Sequence, residues 1–301
     1  MKTALVTGTS TGIGRETALH FARQGYRVFA GARKPDAVER HANIVPKRLD
    51  VDHDGSVRAC VGEVLSEAGS IDVLVNNAGV GFGSALELAS LDRVRALFET
   101  NFYGAVRMMQ AVLPSMRERR SGTVVNVTSV MGRITLGCHG FYAATKFALA
   151  AVSESLAIEA QPFGIRVAII EPGVILTPIW GKAESLMPPD HPYQLAFQRL
   201  MRLFDSQLDG GTPADVVARA IYDAVQEGGT KLRYPVGPDA VALVQARDRM
   251  TPAEWVELFS EPDDDRFQAR AAEAFGVDLY NRPSLYKRSA AVAVAESQEI
   301  G

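Results

Sequence analysis

Short apolar segments alternate with helix-like segments along most of the chain, and this alternation leaves few folds for it to adopt. The strand-like segments lie at residues 4–7, 26–32, 44–51, 71–75, 122–129, 165–170 and 231–236. Strands that are joined by helical connections of this length are typical of a parallel sheet covered on both faces. The sequence therefore predicts an α/β fold, a doubly wound parallel sheet of seven strands.

The alternation weakens after residue 173. Residues 175–210 mix aromatic and methionine side chains with prolines, which predicts an inserted substrate lobe with its own apolar face. Residues 237–288 predict a helical extension, broken at Pro252 and at the acidic segment 261–265. The alanine- and serine-rich residues 289–301 predict a loose tail. We interpret residues 1–301 as a single domain that carries these additions.

Charge and cysteine content exclude several classes of protein. The chain has 32 Lys and Arg against 35 Asp and Glu, a formal charge of -3, which disfavours nucleic acid and anionic membranes as partners. Two cysteines are too few for a disulfide framework and suit a reducing compartment. The N-terminal apolar segment is too short for a signal peptide, and we expect no membrane span. These features predict a cytoplasmic protein, and the spacing of His, Cys and carboxylates predicts no metal site.

A glycine-rich loop follows the first strand directly and leads into a helix. Glycines at 8, 12 and 14 allow close backbone approach, and the helix N-terminus offers free N–H groups to a phosphate. The strand before the loop and the helix after it are the context that a dinucleotide-binding loop requires. Three residues separate Gly8 from Gly12, so the spacing differs from the G-x-G-x-x-G form.

The end of the second strand indicates which nicotinamide cofactor fits. An acidic residue there would bind the adenosine ribose hydroxyl and repel a 2′-phosphate. This chain has Ala32 followed by Arg33 and Lys34, which would attract that phosphate instead. The pattern favours NADP(H), although the same two cations could simply decorate a surface turn.

A tyrosine and a lysine lie four residues apart in a helical segment, at Tyr142 and Lys146. Positions i and i+4 share a helix face, so the phenol and the ammonium can face the same point. An ammonium near a phenol favours the phenolate and is predicted to lower the pKa of Tyr142. Ser129, at the end of a preceding strand, could hold a substrate oxygen beside that phenol. Such pairs also arise by chance on many helices, so the other motifs have to support this interpretation.

Taken together, these motifs resemble the short-chain dehydrogenase/reductase family. The resemblance covers about residues 1–236, and its elements occur in the family's order. The matching elements are Thr7–Gly8–x–x–x–Gly12–x–Gly14, Asn76–Asn77–Ala78–Gly79, Asn101, Ser129, Tyr142–x–x–x–Lys146 and Pro172–Gly173. The resemblance implies a Rossmann-like fold and a nicotinamide-dependent reaction between an alcohol and its ketone or aldehyde.

The resemblance also implies a catalytic role for four residues. Tyr142 would be the acid/base that exchanges a proton with the substrate oxygen, and Lys146 would lower its pKa and bind the nicotinamide ribose. Ser129 would orient the substrate oxygen. Asn101 would help to hold a water that connects Lys146 to solvent.

A larger set of residues is implied for the cofactor. Contacts on the pyrophosphate side would come from Gly8, Ser10, Gly12, Ile13 and Gly14. Contacts to the adenosine half would come from Asp50, Val51, Asn77, Ala78 and Gly79, and those to the nicotinamide from Pro172, Gly173 and Thr177.

The substrate and the assembly are predicted from weaker signals. An apolar cleft is predicted from Val80, Gly81, Phe82, Val130, Leu136, Phe141, Ile175, Ile179, Trp180, Met187 and Phe204. It suits a lipophilic alcohol or ketone and is similar to the 17β-hydroxysteroid and retinol dehydrogenase branch of the family. Cys138 and His139 are expected to line this cleft or to pack beneath it. The family's mode of assembly implies a homodimer or homotetramer formed through helices at about 91–119 and 140–160.

Two other functions remain open from the sequence. The same fold could carry out enoyl reduction or epimerisation, or the chain could be a non-catalytic nucleotide sensor. The serine, tyrosine, lysine and asparagine set favours carbonyl and alcohol chemistry over both, because a sensor has no need of a phenol/amine pair.

Overall fold

The computed structural model describes residues 1–179, 184–208, 211–229 and 231–280, and it contains a seven-stranded parallel sheet. The strands are β1 Thr3–Thr7, β2 Arg27–Ala32, β3 Ile44–Arg48, β4 Val73–Asn76, β5 Gly122–Val127, β6 Ile165–Pro172 and β7 Arg233–Val236. Their order across the sheet is β7-β6-β5-β4-β1-β2-β3, and every neighbouring pair is parallel. The predicted doubly wound sheet is therefore confirmed.

Helices cover both faces of this sheet. Those in the described residues are α1 Gly12–Arg23, α2 Asp54–Ala68, α3 Leu91–Phe98, α4 Gly104–Arg119, α5 Gly140–Ala160, α6 Gln194–Leu208, α7 Ala214–Gln226, α8 Pro238–Arg249, α9 Pro252–Phe259 and α10 Asp264–Phe275. Alternate residues of a strand face opposite sides of a sheet. In β1, Leu5 accordingly packs in the core beneath α2 and α4, whereas Ala4 and Val6 pack in the core beneath α1 and α7. Burial on both faces explains why these strands are apolar throughout.

The strand order reverses between β1 and β4, and this reversal positions the site. Strands β2 and β3 lie on one side of β1, whereas β4, β5, β6 and β7 lie on the other. The loops that follow β1 and β4 therefore diverge to opposite faces and leave a crevice at the carboxyl edge of the sheet. Open α/β sheets bind their ligands at such a point.

The third strand is shorter than predicted. It ends at Arg48, and residues 49–51 turn away from the sheet toward the carboxyl edge. The Asp50 N–H donates to Ser56 Oγ at 2.9 Å, and the Asp52 N–H donates to Asp50 Oδ1 at 3.3 Å. Local hydrogen bonds of this kind compete with the ladder of a strand. The apolar run continues past the strand because Leu49 and Val51 are buried against the neighbouring helices.

The predicted helix over residues 91–119 contains a wider turn. Helix α3 ends at Phe98, a π-helical segment covers Glu99–Tyr103, and α4 continues to Arg119. Such single π turns inside longer helices occur frequently at functional sites. Here the widened turn carries Asn101, whose side chain is buried.

The C-terminal helices pack against α6 to form a second apolar core. Phe267 and Trp255 are buried in it together with Leu203 of α6. The guanidinium carbon of Arg199 lies 4.0 Å from the centre of the Phe267 ring, so α6 and α10 are also joined by a cation–π contact. Pro252 begins α9, and α10 begins at Asp264, within the acidic segment 261–265. The predicted tail at 289–301, and residues 281–288 of the predicted extension, lie outside the described residues.

One helix differs from the expectation that no segment approaches the length of a membrane span. Residues Gly140–Phe163 form a helix of 24 residues, and an 18-residue window within it has a mean hydropathy of 1.2, enough by length and composition alone to cross a membrane. The helix packs against β6, and the Ser153 hydroxyl receives a hydrogen bond of 2.7 Å from Asn126 of β5. About a third of its apolar window is buried inside the chain. Its exposed residues, among them Phe147 and Ile158, leave an outer face that the described residues do not cover.

Candidate active site

A cavity of about 410 Å³ lies at the carboxyl edge of the sheet, where the strand order reverses. It brings together the glycine loop, the ends of β2, β4 and β6, and the tyrosine and lysine of α5. Most of the residues that were predicted for the site line it. They are Gly8, Ser10, Gly12, Ile13, Arg33, Asp50, Val51, Asn77, Ala78, Gly79, Ser129, Tyr142, Lys146, Pro172, Gly173 and Thr177.

Three predicted residues lie outside the lining. Lys34 is exposed and precedes a short 3-10 turn at Pro35–Ala37. Gly14 lies behind the loop, where an added Cβ would be 2.3 Å from the Gly8 carbonyl oxygen. Its role in the fold is therefore to allow this close approach. Asn101 is buried behind the loop that follows β4.

The glycine loop has the backbone geometry of an anion site. Gly8 and Gly12 have φ values of 71° and 59°, in the left-handed region where a side chain would be strained. Helix α1 begins at Gly12, and the Thr11 side chain makes no capping hydrogen bond to its first turn. The first N–H groups of α1 therefore meet no capping side chain at the edge of the cavity, as a bound pyrophosphate requires. The loop fits the phosphates of a dinucleotide.

Hydrogen bonds fasten this loop to the loop after β4. The hydroxyl oxygen of Thr7 accepts from the N–H groups of Asn77 and Ala78 at 2.9 and 3.0 Å. The Asn77 amide donates in return to the carbonyl oxygens of Thr7 and Gly8 at 2.9 and 3.3 Å. These bonds use both donors of the Asn77 amide. Its contribution to the site is to fix the two loops that border the crevice.

The adenosine end of the cavity contains a residue that the sequence reasoning missed. Asp52 lines the cavity together with Arg33 and accepts a hydrogen bond of 3.0 Å from Thr100 through Oδ2. Its Oδ1 is buried and has no hydrogen-bond partner within the described part of the chain. Burial raises the pKa of Asp52, and the Thr100 hydrogen bond opposes that rise. The only signal in the sequence was its position one residue after the predicted third strand.

Ser129, Tyr142 and Lys146 come together at the other end of the cavity. Ser129 ends the extended segment after β5, and its Oγ accepts from the Met131 N–H at 3.2 Å. Tyr142 and Lys146 are one turn apart on α5, and the Lys146 ammonium lies 5.7 Å from the centre of the tyrosine ring. The Lys146 Nζ donates to the Val127 carbonyl oxygen at 3.1 Å, which holds the ammonium below the phenol.

Burial controls the protonation of this group, and its effect on Tyr142 is opposite to the sequence prediction. Burial raises the pKa of Tyr142 to about 12, and a hydrogen bond with Ser129 offsets only part of that rise. Burial also lowers the pKa of Lys146 to about 8. The predicted lowering of the Tyr142 pKa is wrong for this structure, because burial disfavours the charged phenolate more than hydrogen bonding favours it. At neutral pH the phenol is consequently protonated.

Asn101 joins the loop after β4 to the helix of Tyr142 and Lys146. Its Oδ1 accepts from the Val80 N–H at 2.8 Å, and its Nδ2 donates to the Val80 carbonyl oxygen at 3.0 Å and to Thr145 Oγ1 at 3.2 Å. The Thr145 hydroxyl donates in turn to the Tyr142 carbonyl oxygen at 2.7 Å. These contacts give Asn101 a positioning role, and its predicted role in holding a water stays a prediction.

Asp239, another residue that the sequence reasoning missed, supports the turn after β6. It lies at the start of α8, is 3% exposed, and accepts the Val174 N–H through Oδ2 at 2.7 Å. An added Cβ at Gly173 would lie 2.2 Å from the same oxygen, so the carboxylate touches the turn directly. Burial raises its pKa, against the effect of the backbone hydrogen bonds it accepts. Asp239 thus connects the C-terminal extension to the turn Pro172–Gly173.

The remaining wall of the cavity is largely apolar. Of the apolar residues predicted for a cleft, those that line it are Val80, Gly81, Phe82, Val130, Ile175, Ile179 and Phe204. Leu136, Phe141 and Met187 are not part of the lining, and Trp180 lies outside the described residues. Helix α6 adds Phe197, Leu200, Met201 and Leu203. Within the described ranges, no group of three or more His, Cys, Asp or Glu is placed to hold a metal ion.

Comparisons with known proteins agree with this architecture. Residues 2–187 match the family model described as short chain dehydrogenase. The chain is 37% identical over 236 residues to 3-ketodihydrosphingosine reductase of Bacteroides thetaiotaomicron, covering 78% of this chain and 87% of that protein. It is 42% identical over 253 residues to retinol dehydrogenase 8 of Bos taurus, covering 77% and 80% respectively. A short-chain dehydrogenase structure from Streptomyces avermitilis superposes with a TM-score of 0.77 at 35% identity, covering 85% of this chain and 95% of that chain.

The contacts of Asp239 predict a loss of stability when its carboxylate is removed. In Asp239→Ala the buried Val174 N–H loses its acceptor, so we expect the free energy of unfolding to fall by about 2–3 kcal/mol. The matched control is Asp223→Ala, which removes an exposed carboxylate of α7 and should change it by less than about 0.5 kcal/mol. Denaturant unfolding followed by circular dichroism measures both variants. Equal midpoints for the two would contradict the support that we assign to Asp239.

Proposed function

The chain is an oxidoreductase that belongs to the short-chain dehydrogenase family, and we propose that it interconverts a lipophilic alcohol and its ketone or aldehyde using NADP(H). One observation carries this proposal. The Ser129 hydroxyl, the Tyr142 phenol and the Lys146 ammonium converge in one cavity with a loop that fits a dinucleotide. Enoyl reduction, epimerisation and nucleotide sensing are less well supported, because a serine and a phenol in one cavity are the groups that bind and protonate a carbonyl oxygen most directly.

The proposed mechanism assigns a separate task to each of these groups. Bound NADPH would supply the hydride. The Tyr142 phenol, protonated at neutral pH, would donate its proton to the oxygen of the carbonyl as charge develops there. Ser129 would hold the same oxygen by a second hydrogen bond. The Lys146 ammonium beneath the ring would stabilise the phenolate that remains after proton transfer.

The preference for NADP(H) is proposed from the end of β2. Members of the family use NAD(H) or NADP(H). In this chain the residue that follows Ala32 at the end of β2 is Arg33, and its guanidinium lines the cavity in the same region as the Asp52 carboxylate. A guanidinium there supports a 2′-phosphate through charge-assisted hydrogen bonds.

The lipophilic substrate is proposed from the apolar wall. Phe82, Ile175 and the side chains of α6 surround the space next to Tyr142 with little polar surface. Two relatives are named for retinol and for 3-ketodihydrosphingosine, both of which carry long hydrocarbon portions. A retinoid, a steroid or a long-chain ketone is therefore the class of substrate that we propose.

A variant of the tyrosine tests the mechanism. Tyr142→Phe removes the proton donor but keeps the ring, so we expect kcat to fall by roughly 10²–10⁴-fold. The dissociation constant for NADPH, measured by fluorescence titration, should stay within about twofold, since the phenol contributes more to proton transfer than to binding. Tyr193→Phe, at a half-exposed tyrosine, is the control and should retain full activity. Full turnover by Tyr142→Phe would contradict the mechanism.

A pair of cation variants tests the choice of cofactor. Arg33→Ala should raise the KM for NADPH by about 10- to 100-fold, the worth of a lost charge-assisted hydrogen bond, and should leave the KM for NADH within about threefold. Lys34→Ala removes the neighbouring cation, which does not line the cavity, and serves as the matched control. An equal rise in KM for both cofactors would contradict a contact between Arg33 and the 2′-phosphate.

The chain is also proposed to form a homodimer or homotetramer in the cytoplasm through α4 and α5. Ile158 and Phe147 on α5 are 76% and 42% exposed, and Tyr103 before α4 is 48% exposed. Paired helices would cover the uncovered outer face of α5.

We expect Ile158→Glu to shift the sedimentation coefficient to that of a monomer, whereas Val256→Glu on α9 should not. A monomeric unmodified protein would contradict the assembly.

A further inference from the structure

His139 lies against the catalytic tyrosine but has no task in the mechanism above. It precedes α5 by one residue, and its ring centre is 4.6 Å from that of Tyr142 and 5.5 Å from that of Phe204. The side chain is only 8% exposed, and it lines the cavity. A polar ring buried in this position needs an explanation, because burying an unpaired polar group costs free energy.

The two nitrogens of this imidazole are in different surroundings. Nδ1 is buried and has no hydrogen-bond partner in the described part of the chain. Burial lowers the pKa of His139 to about 4, so at neutral pH the ring is neutral and carries one N–H. A buried unpaired N–H is the rarer and costlier state compared with an unpaired acceptor. We therefore assign the proton to Nε2, the other ring nitrogen, which can donate a hydrogen bond to a molecule bound in the cavity.

We infer that His139 donates a hydrogen bond from Nε2 to a second oxygen of the substrate, beside the carbonyl that Tyr142 protonates. The inference rests on the proposed function and narrows its substrate class. Because the two rings are in contact, the second oxygen belongs on the carbon next to the carbonyl or on the following one. The substrate is then a hydroxy ketone, a hydroxy aldehyde or a related 1,2- or 1,3-dioxygenated compound with a long apolar portion.

This arrangement would also reject simple ketones. The Phe204 ring packs edge-on to His139, and the surrounding wall is apolar. A ketone without a second oxygen would displace water from the cavity and leave the Nε2–H without an acceptor. Sites built to hydrogen-bond a substrate group discriminate against analogues that lack it for this reason.

The test compares three ketones of equal chain length: decan-2-one, 1-hydroxydecan-2-one and 4-hydroxydecan-2-one. The unmodified enzyme with NADPH should show a kcat/KM at least about tenfold higher for one hydroxy ketone than for decan-2-one, the factor expected for one hydrogen bond. In His139→Phe, which keeps a ring but removes the donor, this preference should disappear. His139→Gln retains an N–H donor and should recover part of it.

Cys138→Ala, at the adjacent residue, which is not part of the cavity lining, is the matched control and should keep the full preference. The measured quantity is a ratio between substrates within one variant, so a loss of folded protein cancels from it. An unchanged ratio in His139→Phe would overturn the inference, as would equal preference for all three ketones in the unmodified enzyme. Absence of turnover with every ketone, despite NADPH binding in a fluorescence titration, would instead contradict the proposed function and the inference with it.

Discussion

The structure of the site depends on a set of hydrogen bonds between the first and fourth strands. The Thr7 hydroxyl receives the N–H groups of Asn77 and Ala78, and the Asn77 amide returns two bonds to the backbone at Thr7 and Gly8. The strand order reverses between these two strands, so their loops would otherwise diverge. These bonds fix the N-terminus of α1 relative to the loop after β4, which contacts Asn101. Asn101 in turn contacts Thr145, which connects this loop to the helix that carries Tyr142. One short polar network thus joins the phosphate end of the cavity to its catalytic end.

Desolvation shifts the pKa values of Tyr142 and Lys146, at the end of the cavity opposite the glycine loop. Tyr142 and Lys146 are shifted in opposite directions, toward a protonated phenol and toward a more readily deprotonated amine. Both shifts favour the neutral form of the group, which is the general effect of burial. The Tyr142 phenol is therefore protonated in the resting site, and the Ser129 hydrogen bond is the interaction that lowers its pKa. Burial thus sets the resting protonation state of this pair.

The sequence was sufficient for features that depend on local periodicity. All seven strands follow from short apolar runs, and the tyrosine/lysine pair follows from helical spacing, which decides the face that a residue occupies. The direction of the Tyr142 pKa shift could not be predicted in this way, since it depends on how much water the assembled walls exclude. Asp239 was missed for a related reason. It meets Val174 across 65 positions of sequence, and a lone aspartate at the start of a helix predicts only a favourable helix end.

The sheet positions one half of the cavity, which contains the glycine loop and Tyr142, more directly than the other half, which is the apolar wall. The glycine loop and Ser129 follow the ends of β1 and β5, and Tyr142 and Lys146 lie in the first two turns of α5, which packs on the sheet. The substrate wall comes from α6, which is held in place by the C-terminal helices through contacts such as Arg199 on Phe267. His139 stands where the halves meet, since it precedes the catalytic helix yet packs against Phe204 of α6. A polar group at that boundary contacts both the Tyr142 ring and the apolar wall, so it is the group that we propose to select the substrate whose oxygen Tyr142 protonates.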